Sequence, residues 1–145
     1  MRVVLQRVAR ASVTVEDRVV GSIERGFLLL VGFAAGDGEE QIRWMADKIV
    51  GLRVFADEEG RMNRDLLDVS GALLVVSQFT LYADVRKGRR PSFVGAAQPD
   101  EAESNYDKFV HELEQRELPV ATGEFGALMS VELVNDGPVT LILDR

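Results

Sequence analysis

Polar side chains surround one aromatic residue where an apolar run ends, at residues 77–81 (Ser77-Gln78-Phe79-Thr80-Leu81, the SQFTL segment). Ser77, Gln78 and Thr80 offer hydroxyl and amide groups that can donate and accept hydrogen bonds. Such groups at the end of a strand are well placed to face a ligand. They can equally cap the strand or satisfy buried backbone groups, and the residues alone leave both interpretations open.

A second polar segment lies between two apolar runs at residues 135–140 (Asn135-Asp136-Gly137-Pro138-Val139-Thr140, the NDGPVT segment). Asn, Asp, Gly and Pro are the residues that dominate turns. Composition alone therefore favours a simple β-turn here.

The usual signatures of catalysis and cofactor binding do not occur. The chain has no phosphate-binding loop, dinucleotide glycine fingerprint, zinc-protease helix or glycine-flanked nucleophilic serine. The absence of Cys excludes a disulfide scaffold and a thiol nucleophile. The single histidine, His111, lies in an acidic helical stretch and is interpreted as a solvated helix residue without a role. We expect no metal and no cofactor.

Charge is distributed unevenly along the chain. The 145 residues carry a formal net charge of −7, which argues against a generic binder of nucleic acid. However, residues 86–90 (the basic segment) contain Arg86, Lys87, Arg89 and Arg90, enough positive charge to hold one or two phosphates locally. Net charge therefore does not decide the partner.

The elements that must position these segments follow from hydrophobic patterning. Residues 26–32 (GFLLLVG) form an apolar run typical of a strand buried on both faces. Ile42, Met45, Ile49 and Leu52 recur at helical spacing. A second helix is expected to begin at Pro99. Hairpins are predicted over residues 2–23 and 52–63, and further strands over 72–76, 120–122, 127–134 and 139–143.

Two helices and about eight strands, with hairpins mixed among βα connections, predict an α/β fold. We expect one domain over residues 1–145, with a mixed, curved, half-barrel-like sheet and the helices on one side. No apolar run approaches the roughly 20 residues needed to cross a bilayer, so we expect a cytoplasmic protein without a membrane partner.

The motifs, in their order and spacing, resemble those of the D-aminoacyl-tRNA deacylases. The similarity runs through Gln6-Arg7-Val8, the SQFTL segment, KGRRPSF at residues 87–93, FGALM at residues 125–129 and the NDGPVT segment. The resemblance implies a homodimer that hydrolyses the ester between a D-amino acid and the terminal adenosine of tRNA. It also implies glycyl-tRNA as a substrate, active sites at the subunit interface, and no DNA partner.

The resemblance assigns roles to the two polar segments. Ser77, Gln78, Phe79 and Thr80 would line the pocket that holds the ester, and Gly137 and Pro138 of the partner subunit would reach into it. Their peptide bond is cis in the family, and Arg7 braces this loop; without the resemblance, Arg7 is better interpreted as a surface arginine of a strand. Asn135 and Thr140 belong to the same substrate-binding motif.

Discrimination between L- and D-aminoacyl-tRNA needs a rigid surface beside the α-carbon of the amino acid. Because L-aminoacyl-tRNA is in large excess in a cell, an editing enzyme must exclude it actively. Fixed main-chain carbonyls can hold the α-amino group and block an L side chain, whereas glycine has no side chain to block.

The catalytic step has two interpretations. Thr80 is the natural nucleophile by type, but a hydroxyl is weak without an adjacent base. Alternatively, the backbone N–H groups of Phe79 and Thr80 form an oxyanion hole, and the ribose 2′-hydroxyl helps to activate water.

Recognition of the tRNA end is assigned in the same way. Phe125 and Met129 match family positions near the terminal adenine, although ordinary core packing is an alternative for both. Lys87, Arg89 and Arg90 are candidates for phosphate contacts. The alternative is that they only lie in a solvated loop.

Two rival functions remain at this point: a small-ligand or protein-binding module, and an RNA-binding protein without catalysis.

Overall fold

A long N-terminal strand organises the sheet. The computed structural model describes residues 1–145, with strands β1 (Arg2–Val15), β2 (Arg18–Ile23), β3 (Gly26–Gly32), β4 (Phe55–Ala56), β5 (Met62–Arg64), β6 (Ala72–Ser77), β7 (Val120–Thr122) and β8 (Ser130–Asp144). The helices are α1 (Glu39–Val50) and α2 (Pro99–Glu114), and a short 3-10 helix spans Phe79–Tyr82.

The sheet is mixed and curls almost into a barrel. One edge of β1 pairs with β8 along its length, and the other edge pairs with β3 and then with β2, all antiparallel. β3, β6 and β7 continue the sheet in parallel. β2 returns to meet β7, where a Cβ on Gly21 would lie 2.3 Å from the carbonyl oxygen of Thr122. The predicted mixed, curved sheet is confirmed, and it is more nearly closed than a half-barrel.

The two faces of this sheet support separate clusters of apolar side chains. One face packs against both helices through residues such as Phe27, Leu29, Met45 and Phe109. The opposite face is covered by β2 and the first half of β8, around Val13, Leu28 and similar residues. Residues on β3 and β6 are therefore buried on both faces, as the apolar runs predict.

Both helices form where hydrophobic spacing predicts them. α1 buries Ile42, Met45 and Ile49, although it ends before Leu52. α2 begins at Pro99, whose missing N–H costs nothing in the first turn. Neither helix has the length and the apolar character needed to cross a bilayer.

The C-terminal strand differs from the expectation. The sequence predicts two strands, over residues 127–134 and 139–143, joined by a turn, but a single strand, β8, runs from Ser130 to Asp144. Both halves pair antiparallel with β1, so the chain does not reverse between them. The β-turn interpretation is wrong, because residues 136–139 bulge out of the ladder opposite the single residue Arg7. The other edge of β8 has no partner strand.

Candidate active site

The SQFTL segment begins where β6 leaves the sheet. Ser77 is the last residue of β6, and the Gln78 N–H donates to the Val31 carbonyl at 2.7 Å. The neighbouring strand must carry glycine at this point, because a Cβ on Gly32 would lie 2.9 Å from the Gln78 carbonyl oxygen. The chain then turns into the 3-10 helix, and the Leu81 N–H donates to the Gln78 carbonyl at 3.2 Å.

Two side chains of this segment, Phe79 and Thr80, are open to solvent, and the other three are half-buried. The Gln78 amide donates to the hydroxyl of Thr80, which is exposed. The Phe79 side chain is 56% exposed. His111, the only imidazole, is exposed on α2 and lies 4.0 Å from Glu114. Thr80 is therefore hydrogen-bonded to an amide and has no neighbouring base.

Arg2 holds the far end of the 3-10 helix. Its guanidinium donates to the Leu81 carbonyl at 3.0 Å and to the Asp144 carboxylate at 2.6 Å. The hydrogen bond with Asp144 raises the pKa of Arg2. The guanidinium also lies over the ring of Tyr82, whose burial raises its pKa to about 12. Sequence reasoning missed Arg2, because a basic residue at the start of a strand carries no distinguishing signal.

Asn135 closes the NDGPVT segment at its base. Its side-chain oxygen accepts from the Val139 N–H at 2.8 Å, and its amide donates to the Thr140 hydroxyl at 3.1 Å. The amide of Gln6 on β1 approaches the same hydroxyl at 3.4 Å. These contacts tie the two ends of the bulge together and explain why an amide and a hydroxyl flank it.

Arg7 lies under the exposed part of this bulge. Its Nε donates to the Asp136 carbonyl at 2.9 Å and lies 3.7 Å from the Asp136 carboxylate, and its side chain is only 12% exposed. Gly137 has φ +137°, and a Cβ built there would lie 2.9 Å from Nη2 of Arg7. The Gly137–Pro138 peptide bond is cis, and both residues are exposed.

Phe125 and Met129 lie on different surfaces. Phe125 is half-buried and packs against Tyr106, with 5.8 Å between ring centroids, and it lines a cavity of about 360 Å³. The Tyr106 hydroxyl donates to the Val75 carbonyl at 2.9 Å, and burial raises the pKa of this phenol. Met129 packs beside Gly123, where a Cβ would lie 2.6 Å from the sulfur, and joins the second apolar cluster.

The basic segment adjoins the SQFTL segment through a contact between two aromatic rings. Phe93 meets Phe79 edge to face, with 5.0 Å between centroids. Arg86 forms a salt bridge with Asp84 at 2.7 Å, which lowers the pKa of that carboxyl. Lys87, Arg89 and Arg90 are exposed and form no salt bridge.

The two polar segments do not meet within one chain. Thr140 lies beside Gln6, Gln6 beside Leu28, and Leu28 beside Leu74, three strands away. Ser77 is a further three residues along β6, so strand spacing and rise separate the segments by on the order of 15 Å. No cluster of His, Asp and Glu is arranged to hold a metal ion.

Comparisons with known proteins relate the whole chain to one family. The family described as "D-Tyr-tRNA(Tyr) deacylase" matches residues 4–144. A D-aminoacyl-tRNA deacylase of Exiguobacterium sibiricum is 63% identical over 145 residues, which is 100% of both chains. One of Thermomicrobium roseum is 60% identical over 99% of this chain and 94% of its own.

Solved structures share the fold of this chain. The structure titled "c-Myc DNA Unwinding Element Binding Protein" superposes with a TM-score of 0.94 at 41% identity, covering 100% of this chain and 99% of its own. A probable eukaryotic D-amino acid tRNA deacylase superposes with a TM-score of 0.82 at 23% identity, over 99% and 98%, which shows the shared fold. The chain thus belongs to the D-Tyr-tRNA(Tyr) deacylase family and is a hydrolase that deacylates D-aminoacyl-tRNA.

Proposed function

We propose that this chain acts as a homodimer in which the NDGPVT segment of one protomer completes the SQFTL site of the other. The observation that carries the proposal is their separation within one chain, although each has the polar groups of a binding site. The unpaired edge of β8 also leaves backbone groups free for a second copy. In a symmetric dimer, each protomer would supply its NDGPVT segment to the SQFTL site of its partner, which gives two equivalent sites.

In this dimer the NDGPVT segment serves as a filter for the handedness of the amino acid. Its main chain is held from below by Arg7 and across its base by Asn135, so its carbonyl groups cannot rotate away as a side chain can. A fixed wall blocks an L side chain at the α-carbon while it accepts a D side chain on the opposite side. Glycine has no side chain to block, so glycyl-tRNA is also hydrolysed.

The chemical step is attack of water on the ester carbonyl carbon. The carbon–oxygen bond to the ribose breaks, and the leaving ribose oxygen takes up a proton, which yields free amino acid and tRNA. The N–H groups of Phe79 and Thr80 begin the 3-10 helix, and the first N–H groups of a helix have no partner inside it. They are suited to stabilise the oxyanion, while the ribose 2′-hydroxyl assists the water. Thr80 orients the substrate and does not act as nucleophile.

The tRNA end is held by stacking and charge. Phe125 presents a half-buried ring at a cavity, suited to the terminal adenine. Met129, which packs in the second apolar cluster on a different surface, is a separate contact for the tRNA end. Lys87, Arg89 and Arg90 contact phosphates of the acceptor end, because the packing of Phe93 on Phe79 anchors the basic segment beside the site. With tRNA as substrate, the place of action is the cytoplasm.

Release of labelled amino acid from D-tyrosyl-, L-tyrosyl- and glycyl-tRNA, with EDTA present, tests this function. We expect rapid turnover of the D and glycyl substrates and, at the same enzyme concentration, only trace turnover of the L substrate. Equal hydrolysis of D and L substrates would refute the filter, and tRNA binding without release would identify an RNA-binding protein. A monomer that hydrolyses none of them would fit the rival ligand-binding module.

A further inference from the structure

Arg7 can fix the NDGPVT segment only if its own guanidinium is held by something outside that segment. Its contacts with Asp136 belong to the bulge itself and move with it. The opposite contacts come from the last residue before β4 and the first residue of β4. There Nη1 of Arg7 donates to the Val54 carbonyl, and the guanidinium lies over the ring of Phe55, 5.9 Å from its centroid.

Phe55 is itself fixed by its surroundings. It is 1% exposed, and Phe27 of β3 stacks on it with centroids 5.1 Å apart and 21° between the ring planes. The guanidinium of Arg25 also approaches this ring, 5.2 Å from its centroid. Pairing of Phe55 with Arg64 sets the direction of the chain at this point. The ring therefore belongs to the buried core and not to the surface.

We propose that Phe55, together with the backbone carbonyl of Val54, is a positioning residue for the handedness filter. The ring limits where the Arg7 guanidinium can lie. The guanidinium in turn fixes the backbone of the exposed bulge through its contacts with Asp136 and Gly137. A cation over an aromatic face is attracted by the ring as well as packed against it, so an aliphatic side chain of similar size does not replace it. This inference rests on the proposed filter.

The test compares Phe55→Leu with Phe109→Leu. Phe109 is also fully buried in the same apolar cluster, but it lies on α2. Both variants lose a buried ring and both should lose stability. The quantity to measure is the ratio of kcat/KM for D-tyrosyl-tRNA to that for L-tyrosyl-tRNA, which loss of stability alone does not change. We expect this ratio to fall roughly 3- to 30-fold in Phe55→Leu, through faster L hydrolysis, and to stay constant in Phe109→Leu.

A second pair of variants separates an effect through Arg7 from a direct one. In an Arg7→Met background, which has neither a positive charge nor a hydrogen-bond donor at this position, Phe55→Leu should cause no further fall in the ratio, because the brace is already absent. If Phe55→Leu does not fold, Phe55→Met keeps the apolar volume and carries the same expectation. A wild-type enzyme without D/L discrimination refutes the proposed filter. A wild-type enzyme that discriminates, with an unchanged ratio in Phe55→Leu or Phe55→Met, overturns the inference about Phe55 alone.

Discussion

At the scale of single residues, the surroundings of Thr80 decide which catalytic role it can take. Its hydroxyl is exposed and hydrogen-bonded to the Gln78 amide, and no imidazole or carboxylate contacts it. A hydroxyl in this position can orient a substrate, but it lacks the base that would make it a nucleophile.

Replacing Thr80 with alanine should therefore slow the reaction only modestly. The variant keeps the backbone N–H, which is the group assigned to the oxyanion. Removal of an oxyanion donor lowers kcat roughly 100- to 1,000-fold, and we expect Thr80→Ala to lose much less. Single-turnover rates with D-tyrosyl-tRNA measure the effect. Complete loss of turnover in a folded Thr80→Ala protein would overturn the purely orienting role, because the hydroxyl itself would then be required for the chemical step.

Gly137 offers a second test at this scale. Its φ of +137° is unfavourable for any residue with a Cβ, and the Cβ would lie 2.9 Å from Nη2 of Arg7. Gly137→Ala should lose stability by about 1–3 kcal/mol and also lose hydrolysis of D-tyrosyl-tRNA. Gly60→Ala is the matched control, because Gly60 has φ +80° with open space around its Cβ position.

The control separates strain from displacement. Both variants place a side chain in an unfavourable backbone region, but only Gly137→Ala pushes against the brace. Thermal unfolding and kcat/KM are measured on both. Equal loss of activity in Gly60→Ala would mean that global stability, and not the position of the bulge, limits the reaction.

At the scale of elements, periodic burial made most of the fold predictable. The apolar run of β3 predicts a strand buried on both faces. The spacing of Ile42, Met45 and Ile49 predicts a helix with one buried face, because an apolar face must be covered. β8 was not predictable in the same way. Turn-forming residues interrupt it, and only pairing with β1 on both sides of the bulge keeps the chain in one direction.

The basic segment shows a further limit of sequence reasoning. The sequence contains four positive side chains in this segment, but Arg86 is paired with Asp84, whose carboxylate offsets its charge. Only Lys87, Arg89 and Arg90 are exposed without a salt bridge. A count of charges cannot reveal which of them are already neutralised.

That difference predicts the salt dependence of tRNA binding. Removing a positive charge should weaken binding uniformly across tRNAs in each of three variants, Lys87→Gln, Arg89→Gln and Arg90→Gln. The slope of the log binding constant against log salt concentration should also become shallower, by about 0.7 for each phosphate that the variant no longer neutralises. Arg86→Gln is the control and should change the slope little. Filter binding between low and moderate salt measures the slopes. Equal slopes in all four variants and the wild type would remove this segment from the RNA interface.

At the scale of the whole molecule, the proposed site is divided between two segments that one chain keeps apart. The sequence predicts both segments as parts of a site, because their order and spacing match those of the family, and this assignment stays a prediction. The distance between the two segments could not be predicted from the sequence, since it depends on how many strands lie between β6 and β8. Only the folded sheet gives a physical reason for a second protomer.

Mixing two inactive variants tests whether the site is shared between subunits. Thr80→Trp fills the exposed SQFTL site with a large ring, and Gly137→Val displaces the NDGPVT segment. Each homodimer should be inactive, because each carries the same defect in both of its sites. In a heterodimer, one site carries both defects, whereas the other combines an intact SQFTL segment with an intact NDGPVT segment from its partner.

Equal amounts of the two variants, unfolded and refolded together, should then recover activity. Half of the dimers are expected to be mixed, and each mixed dimer has one intact site of two, so about a quarter of the wild-type activity returns. The readout is kcat for D-tyrosyl-tRNA per protomer, with each variant refolded alone as the control. If both segments acted within one protomer, every site would still contain a defect, and the mixture would stay as inactive as its components.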